Sequence, residues 1–154
     1  FIAVKNNSTA LMFVPKDRTD YTAIAKIAVQ SYYRALVHVD RYRADYGAIA
    51  TLAIQTNADA FYYVPEDYAD YGTLARLAVQ INGDALDWVD PDRADYEAIA
   101  MLAVQLDGLA LQYVPTDLDN YAAIAMVAVQ NDRMALAHVP KGRADYAAIA
   151  MLAA

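Results

Sequence analysis

Three kinds of side chain in this 154-residue sequence have the chemistry to act on a ligand. Carboxylates come first: Asp17 with Asp20, Asp67 with Asp70 and Asp92 with Asp95 recur three residues apart. That spacing would suit a ladder of weak calcium sites or a paired acid and base. Calcium, however, takes about six to eight oxygens, and its dedicated loops pivot on a glycine. These loops lack that density, and Arg18, Arg43, Arg93 and Arg143 stand between or beside the acids. Helix capping and local ion pairs are the expected roles, with no metal. Nucleophiles and bases are scarce: His38 and His138 are the only histidines, Ser8 and Ser31 the only serines, and there is no cysteine. Without cysteine there is neither a disulfide framework nor a thiolate zinc site. No glycine-rich phosphate loop, His-Glu-x-x-His run or nucleophile elbow is present. The chain is therefore expected not to be an enzyme, with no catalytic residue and no cofactor.

Aromatic and thioether side chains are the third kind, and they fall in phase. Phe13, His38, Tyr63, Trp88, Tyr113 and His138 lie 25 residues apart, always flat-ringed and chemically varied. They suit half-buried packing or a strip for ligands, sugars or a partner helix. Met101, Met126 and Met151 share another phase and would form an adaptable contact strip. A third phase holds Tyr21, Tyr46, Tyr71, Tyr96, Tyr121 and Tyr146 without one Phe. Bulk alone would be met by Phe, so each hydroxyl is expected to have a fixed partner.

Positioning these residues requires a tandem repeat of 25 residues with no insertion or deletion. One column is Ala28, Ala53, Ala78, Ala103 and Ala128, another Ala35, Ala60, Ala85, Ala110 and Ala135, a third Val14 through Val139. The spacing Tyr96, Ile99, Ala100, Leu102, Ala103 predicts an amphipathic helix of about 11 residues in each unit. Asp20, Asp45, Asp70, Asp95, Asn120 and Asp145 precede the tyrosines and are the expected N-caps, because the one exchange, Asp to Asn, preserves capping and loses charge. Asn82-Gly83 and Asp107-Gly108 are expected to end helices in the left-handed conformation. A second short helix is expected near Asp84–Val89, with Ala85, Leu86 and Val89 inward, ending at the proline phase. Both helices are too short to persist alone in water, so layers must stabilise one another by stacking.

These features predict an all-α fold, an α-solenoid of six helix-turn-helix units forming a right-handed superhelix, with residues 1–154 as one repeat domain. Phe1 is in register with Lys26 and Met151. The stretch is thus expected to begin and end within a first helix, either as a window on a longer array or with faces that stack head to tail into filaments. Positions 12, 26 and 31 to 34 vary between units and are expected to face solvent, with Tyr32 and Tyr33 the most eccentric.

Charge narrows the partners. There are 19 acidic against 12 basic residues, a net charge of −7 and a pI near 4.5. The loops between the proline phase and the helix starts hold 13 of those acids and seven of the bases. This argues against a nucleic acid, which needs a basic face, and suggests a solvated rim that offsets helix dipoles. The longest uncharged stretch, Tyr46 to Ala58, is far shorter than the ~18 residues of a membrane span. No targeting segment is evident, and the compartment stays unassigned.

The run from Ala78 through Asp92, with its A-V-Q-x-N-G-x-A-L core, resembles the short helical repeats of a bacterial domain of unknown function (number four-one-one-six). The likeness extends unit by unit, although the D-Y-x-A-I-A half departs from that family's more charged first helix. It implies tandem α-repeats with no assigned activity and no catalytic residues. A weaker similarity is to leucine-rich variant repeats, which pair an α-helix with a 3-10 turn. A non-enzymatic scaffold that binds protein is the function expected, with self-assembly as the alternative.

Overall fold

Each repeat builds the same pair of elements, an α-helix followed by a 3-10 helix. In the computed structural model, which describes residues 2–154, the α-helices are α1 Ile2–Asn6, α2 Tyr21–Ser31, α3 Tyr46–Thr56, α4 Tyr71–Ile81, α5 Tyr96–Leu106, α6 Tyr121–Asn131 and α7 Tyr146–Leu152. The 3-10 helices are Ser8–Phe13, Tyr33–His38, Ala58–Tyr63, Gly83–Trp88, Gly108–Tyr113 and Arg133–His138. The fold is all-α and of solenoid type, with no strand among the described residues. The register expected for Phe1 lies outside those residues.

The second element of each repeat differs from expectation in kind. It is a six-residue 3-10 helix, and the following Val is its extended C-cap, with ψ near 122–129° at Val14, Val39, Val64, Val89, Val114 and Val139. Val39 and Val89 adopt that geometry although Asp, not Pro, follows them. The stop therefore comes from the main-chain bond of the Val N–H to the carbonyl three residues back, as in Val89 to Leu86.

The helices gather into two compact units, the first ending at Ala78 and the second starting at Val79. In the first, α2 packs against α1 and α3, and the 3-10 helix Tyr33–His38 lies between Ser8–Phe13 and Ala58–Tyr63. In the second, α6 packs against α5 and α7, and Gly108–Tyr113 lies between Gly83–Trp88 and Arg133–His138. Within either unit, among the described residues, no helix touches one two layers away. Each unit is thus a pile of layers, as short helices without stable isolated forms require.

The inward columns match the sequence pattern. Ala28, Ala53, Ala103 and Ala128 are buried, as are Ala35, Ala60, Ala110 and Ala135, and no polar or charged residue joins the core among the described residues. Small side chains at these seams let neighbouring layers approach closely. The approach is tightest at Gly108, where an added Cβ would lie 2.5 Å from the Ala128 carbonyl oxygen.

Candidate functional site

The loop between each 3-10 helix and the next α-helix is two consecutive turns. Arg43 N–H bonds the Asp40 carbonyl and Tyr46 N–H bonds the Arg43 carbonyl; the same pair recurs at Pro140, Arg143 and Tyr146. The second turn places Asp45 at φ −95°, ψ 0°, and Asp20, Asp95, Asn120 and Asp145 adopt similar angles. This corrects the capping expectation. None of these five side chains makes a cap hydrogen bond, because a side-chain cap needs an extended backbone that aims the oxygen at the helix. Their carbonyls begin the helix instead, as does that of Asp70, which accepts from Thr73 and Leu74.

The freed carboxylates meet arginine. Arg43 donates from Nε and Nη2 to Asp45 at 2.8 and 3.0 Å, and Arg143 grips Asp145 at 2.8 and 2.8 Å. Arg18 forks Asp20 and Arg93 forks Asp95 in the same way. Arg43 also reaches into the preceding repeat, donating from Nη1 to the Lys16 carbonyl at 2.6 Å and lying 4.4 Å from the Tyr21 ring centre. Arg143 repeats this on Thr116 at 2.6 Å and Tyr121 at 4.6 Å. Where Tyr68 replaces Arg, its ring meets Tyr46 edge-on at 4.8 Å. The hydrogen bonds from Arg43 and Thr22 hold Asp45 below the ordinary carboxylate range, against burial, and Arg43's charge helps. These contacts tie layers together. The sequence signal for them was the recurring Arg-x-Asp-Tyr string.

Three of the column tyrosines have a hydroxyl partner of the kind expected. Tyr21, Tyr96 and Tyr121 donate to the carbonyls of His38, Tyr113 and His138 at 3.5, 3.2 and 3.3 Å. Burial pushes the Tyr96 hydroxyl up to about 12 and raises those of Tyr21, Tyr46 and Tyr121 as well.

The aromatic column sits at the end of each 3-10 helix, where its main-chain carbonyls serve the tyrosines. His38, Tyr63, Trp88, Tyr113 and His138 are half-buried, whereas Phe13 is 78% exposed. Met101 and Met126 are half-buried and Met151 is 78% exposed. Position 26 and its counterparts Thr51 and Arg76 are likewise half-buried, so this phase faces solvent less than expected. Ala58, Gly83 and Gly108, counterparts of Tyr33, are fully buried. Position 12 behaves as expected: Met12, Val37, Tyr62, Asp87, Gln112 and Ala137 are all exposed. The asparagines and aspartates read as left-handed helix stops prove to be caps of the 3-10 helices. Asn82 and Asp107 are extended, and their side chains accept from the N–H of Asp84 and Leu109 at 3.0 and 3.0 Å.

Among the described residues no group of three or more His, Asp or Glu side chains is placed to hold a metal ion, and no helix is long and apolar enough to cross a membrane. A family model, "Domain of unknown function (DUF4116)", matches residues 96–142, nearly two repeat lengths and less than a third of the chain. The curated proteins and the solved structures yield no match to this chain.

Proposed function

We propose that the chain is a non-catalytic scaffold that docks another protein along the edge built by its 3-10 helices. One observation carries this reading: position 12 and its counterparts are exposed in every repeat and differ in every repeat, while the buried columns keep their residue types. Free variation on a rigid lattice is the arrangement by which repeat proteins encode recognition. In the first unit this edge presents Met12, Phe13, Val37 and Tyr62; in the second, Asp87, Gln112 and Ala137 occupy the same phase beside the exposed Leu109 and Met134. Exposed apolar and aromatic side chains of this kind are the anchors on which protein interfaces concentrate their energy.

The test is a selection of displayed peptides on the intact chain, followed by titration of the winners against a Met12→Ser, Val37→Ser, Tyr62→Ser variant. The expected result is affinity weakened by about tenfold or more at an unchanged melting temperature, since these side chains leave the core untouched. Peptides that bind the variant as well as the parent, or no enrichment at all, would defeat the proposal. Sedimentation of the same preparation at several concentrations checks the competing reading: growth of the sedimentation coefficient with concentration would mark a self-assembling structural element.

A further inference from the structure

Five of the six 3-10 helices begin with an Asn or Asp whose side chain accepts the N–H two residues on: Asn7, Asn57, Asn82, Asp107 and Asp132. The second repeat alone abandons this device. It has Tyr32, which makes no cap bond and is 41% exposed. Tyr33 follows, where the next three repeats bury Ala58, Gly83 and Gly108, and then Arg34, at a position that varies among Thr9, Asp59, Asp84, Leu109 and Met134 in the other repeats. A capping rule kept by five repeats and broken in one marks a site held for something other than folding.

These residues line a cleft of about 390 Å³ together with Ser8 and Ser31, within the size range of small-molecule sites. Tyr32 is fixed across it by donation from its hydroxyl to the Asn6 carbonyl at 3.4 Å. Tyr33 is backed by Tyr63, with ring centres 6.3 Å apart, and the Arg34 guanidinium lies 5.8 Å from the Tyr33 ring centre. No carboxylate lines the cleft. Arg18, Arg41 and Arg43 are each tied to an aspartate by a salt bridge; Arg34 makes none among the described residues, its guanidinium being held by the Tyr33 side chain with Asp59 acting on it from farther away. The lining therefore offers a forked cation, hydroxyls and aromatic faces, with no carboxylate in the cleft wall itself.

We infer that this cleft binds a small anion carried on a flat ring, a phosphate monoester or a carboxylate, with the ring against Tyr32 and Tyr33 and the anion on Arg34. The probes are phenyl phosphate, benzoate, inorganic phosphate and benzyl alcohol, each titrated into the full chain by calorimetry and by ligand-observed NMR. At least one of the two ring-bearing anions should saturate at sub-millimolar concentration, at least tenfold tighter than inorganic phosphate or benzyl alcohol; which of the two wins decides between phosphate and carboxylate. Arg34→Gln should weaken that binding at least tenfold at unchanged melting temperature. Tyr32→Asn, which restores the cap, should raise the melting temperature while weakening binding. Failure of both ring-bearing anions to bind below about 10 mM, indifference of binding to Arg34→Gln, or equal binding of benzyl alcohol would overturn the inference. None of these results bears on the docking edge, whose test residues Met12, Val37 and Tyr62 do not line this cleft.

Discussion

Replacing a column tyrosine by phenylalanine isolates one hydrogen bond between layers. The ring of Tyr96 is buried and would remain so in Phe, so the hydrophobic contribution is retained. What disappears is the bond from the hydroxyl to the Tyr113 carbonyl at 3.2 Å. A neutral bond of this kind contributes about 0.5–1.5 kcal/mol net. Tyr113 is half-buried, so water can partly replace the lost donor, and the expected cost of Tyr96→Phe is about 1 kcal/mol. For a chain of this length that is a fall of roughly 2–4 °C in melting temperature. The three bonds are graded, at 3.2 Å for Tyr96, 3.3 Å for Tyr121 and 3.5 Å for Tyr21. Tyr21→Phe should therefore cost least, because its bond is at the limit of useful geometry. Urea unfolding followed by circular dichroism gives the midpoints, and unchanged slopes would confirm that the same surface unfolds. If all three variants melted with the parent, the hydroxyl would not be what keeps Phe out of this column. A Tyr21→Phe cost larger than that of Tyr96→Phe would show that the bond lengths do not rank the contributions.

Glycine exchanges separate close approach from free space. Gly108→Ala should destabilise by about 1–3 kcal/mol, because its Cβ would meet main-chain oxygen at 2.5 Å, whereas Gly142→Ala, with nothing within 4 Å, should leave the urea midpoint unchanged or slightly raised. Arg43→Met should lower the midpoint, and much of the loss should persist in 1 M salt, since the contact with Tyr21 and the bond to the Lys16 carbonyl are screened less than an exposed ion pair. Arg18→Met, which loses only an exposed fork to Asp20, should have almost no effect in the same assay. Alkaline stability has a worked sign. Tyr21, Tyr46, Tyr96 and Tyr121 hold their protons more tightly folded than unfolded. Their stabilising contribution is complete below about pH 10 and is lost as pH rises toward about 12, where Tyr96 itself ionises. Absorbance at the phenolate band should show these tyrosines ionising together with the loss of helical circular dichroism, and ionisation within an intact helical signal would contradict the burial argument.

The repeating columns were legible because a buried position tolerates so few side chains. Ala28 and its counterparts could be assigned to the seams, and the Phe-free tyrosine column pointed to a hydroxyl partner before any carbonyl was known. The short second element was legible in position but not in type, since an apolar set such as Ala85, Leu86 and Val89 faces one side of a 3-10 helix as readily as of an α-helix. Asn82-Gly83 misled for a related reason. The same pair serves a left-handed stop or a cap of the next element, and the extended backbone at Asn82, like that at Asn57 before Ala58, makes it a cap. Asp45 looked like a cap because capping is the commonest use of Asp before a helix. Only the turn angles reveal that its side chain is aimed at Arg43 instead.

These misreadings share a cause that also separates architecture from recognition in this chain. Local sequence fixes what a residue can do, but contact with the next layer decides which of those options is used, as Arg43 on Tyr21 and Gly108 against Ala128 both show. A residue that keeps its type through the repeats is answering to its neighbouring layers. A residue that departs from type either loses a contact or answers to something else. Tyr32 distinguishes the two cases: it lacks the cap that five sister residues make, yet its hydroxyl is anchored to Asn6 and its ring walls a cleft. Leu118, which stands where Arg43 and Arg143 staple their layers, has no fork to offer Asn120. That exchange comes with a loss of charge on both partners at once, whereas Tyr68 replaces the arginine beside an Asp70 that keeps its charge. Tyr32, which gives up a cap that the other five repeats keep and is anchored across a cleft instead, is the departure in this lattice that the layers alone do not account for.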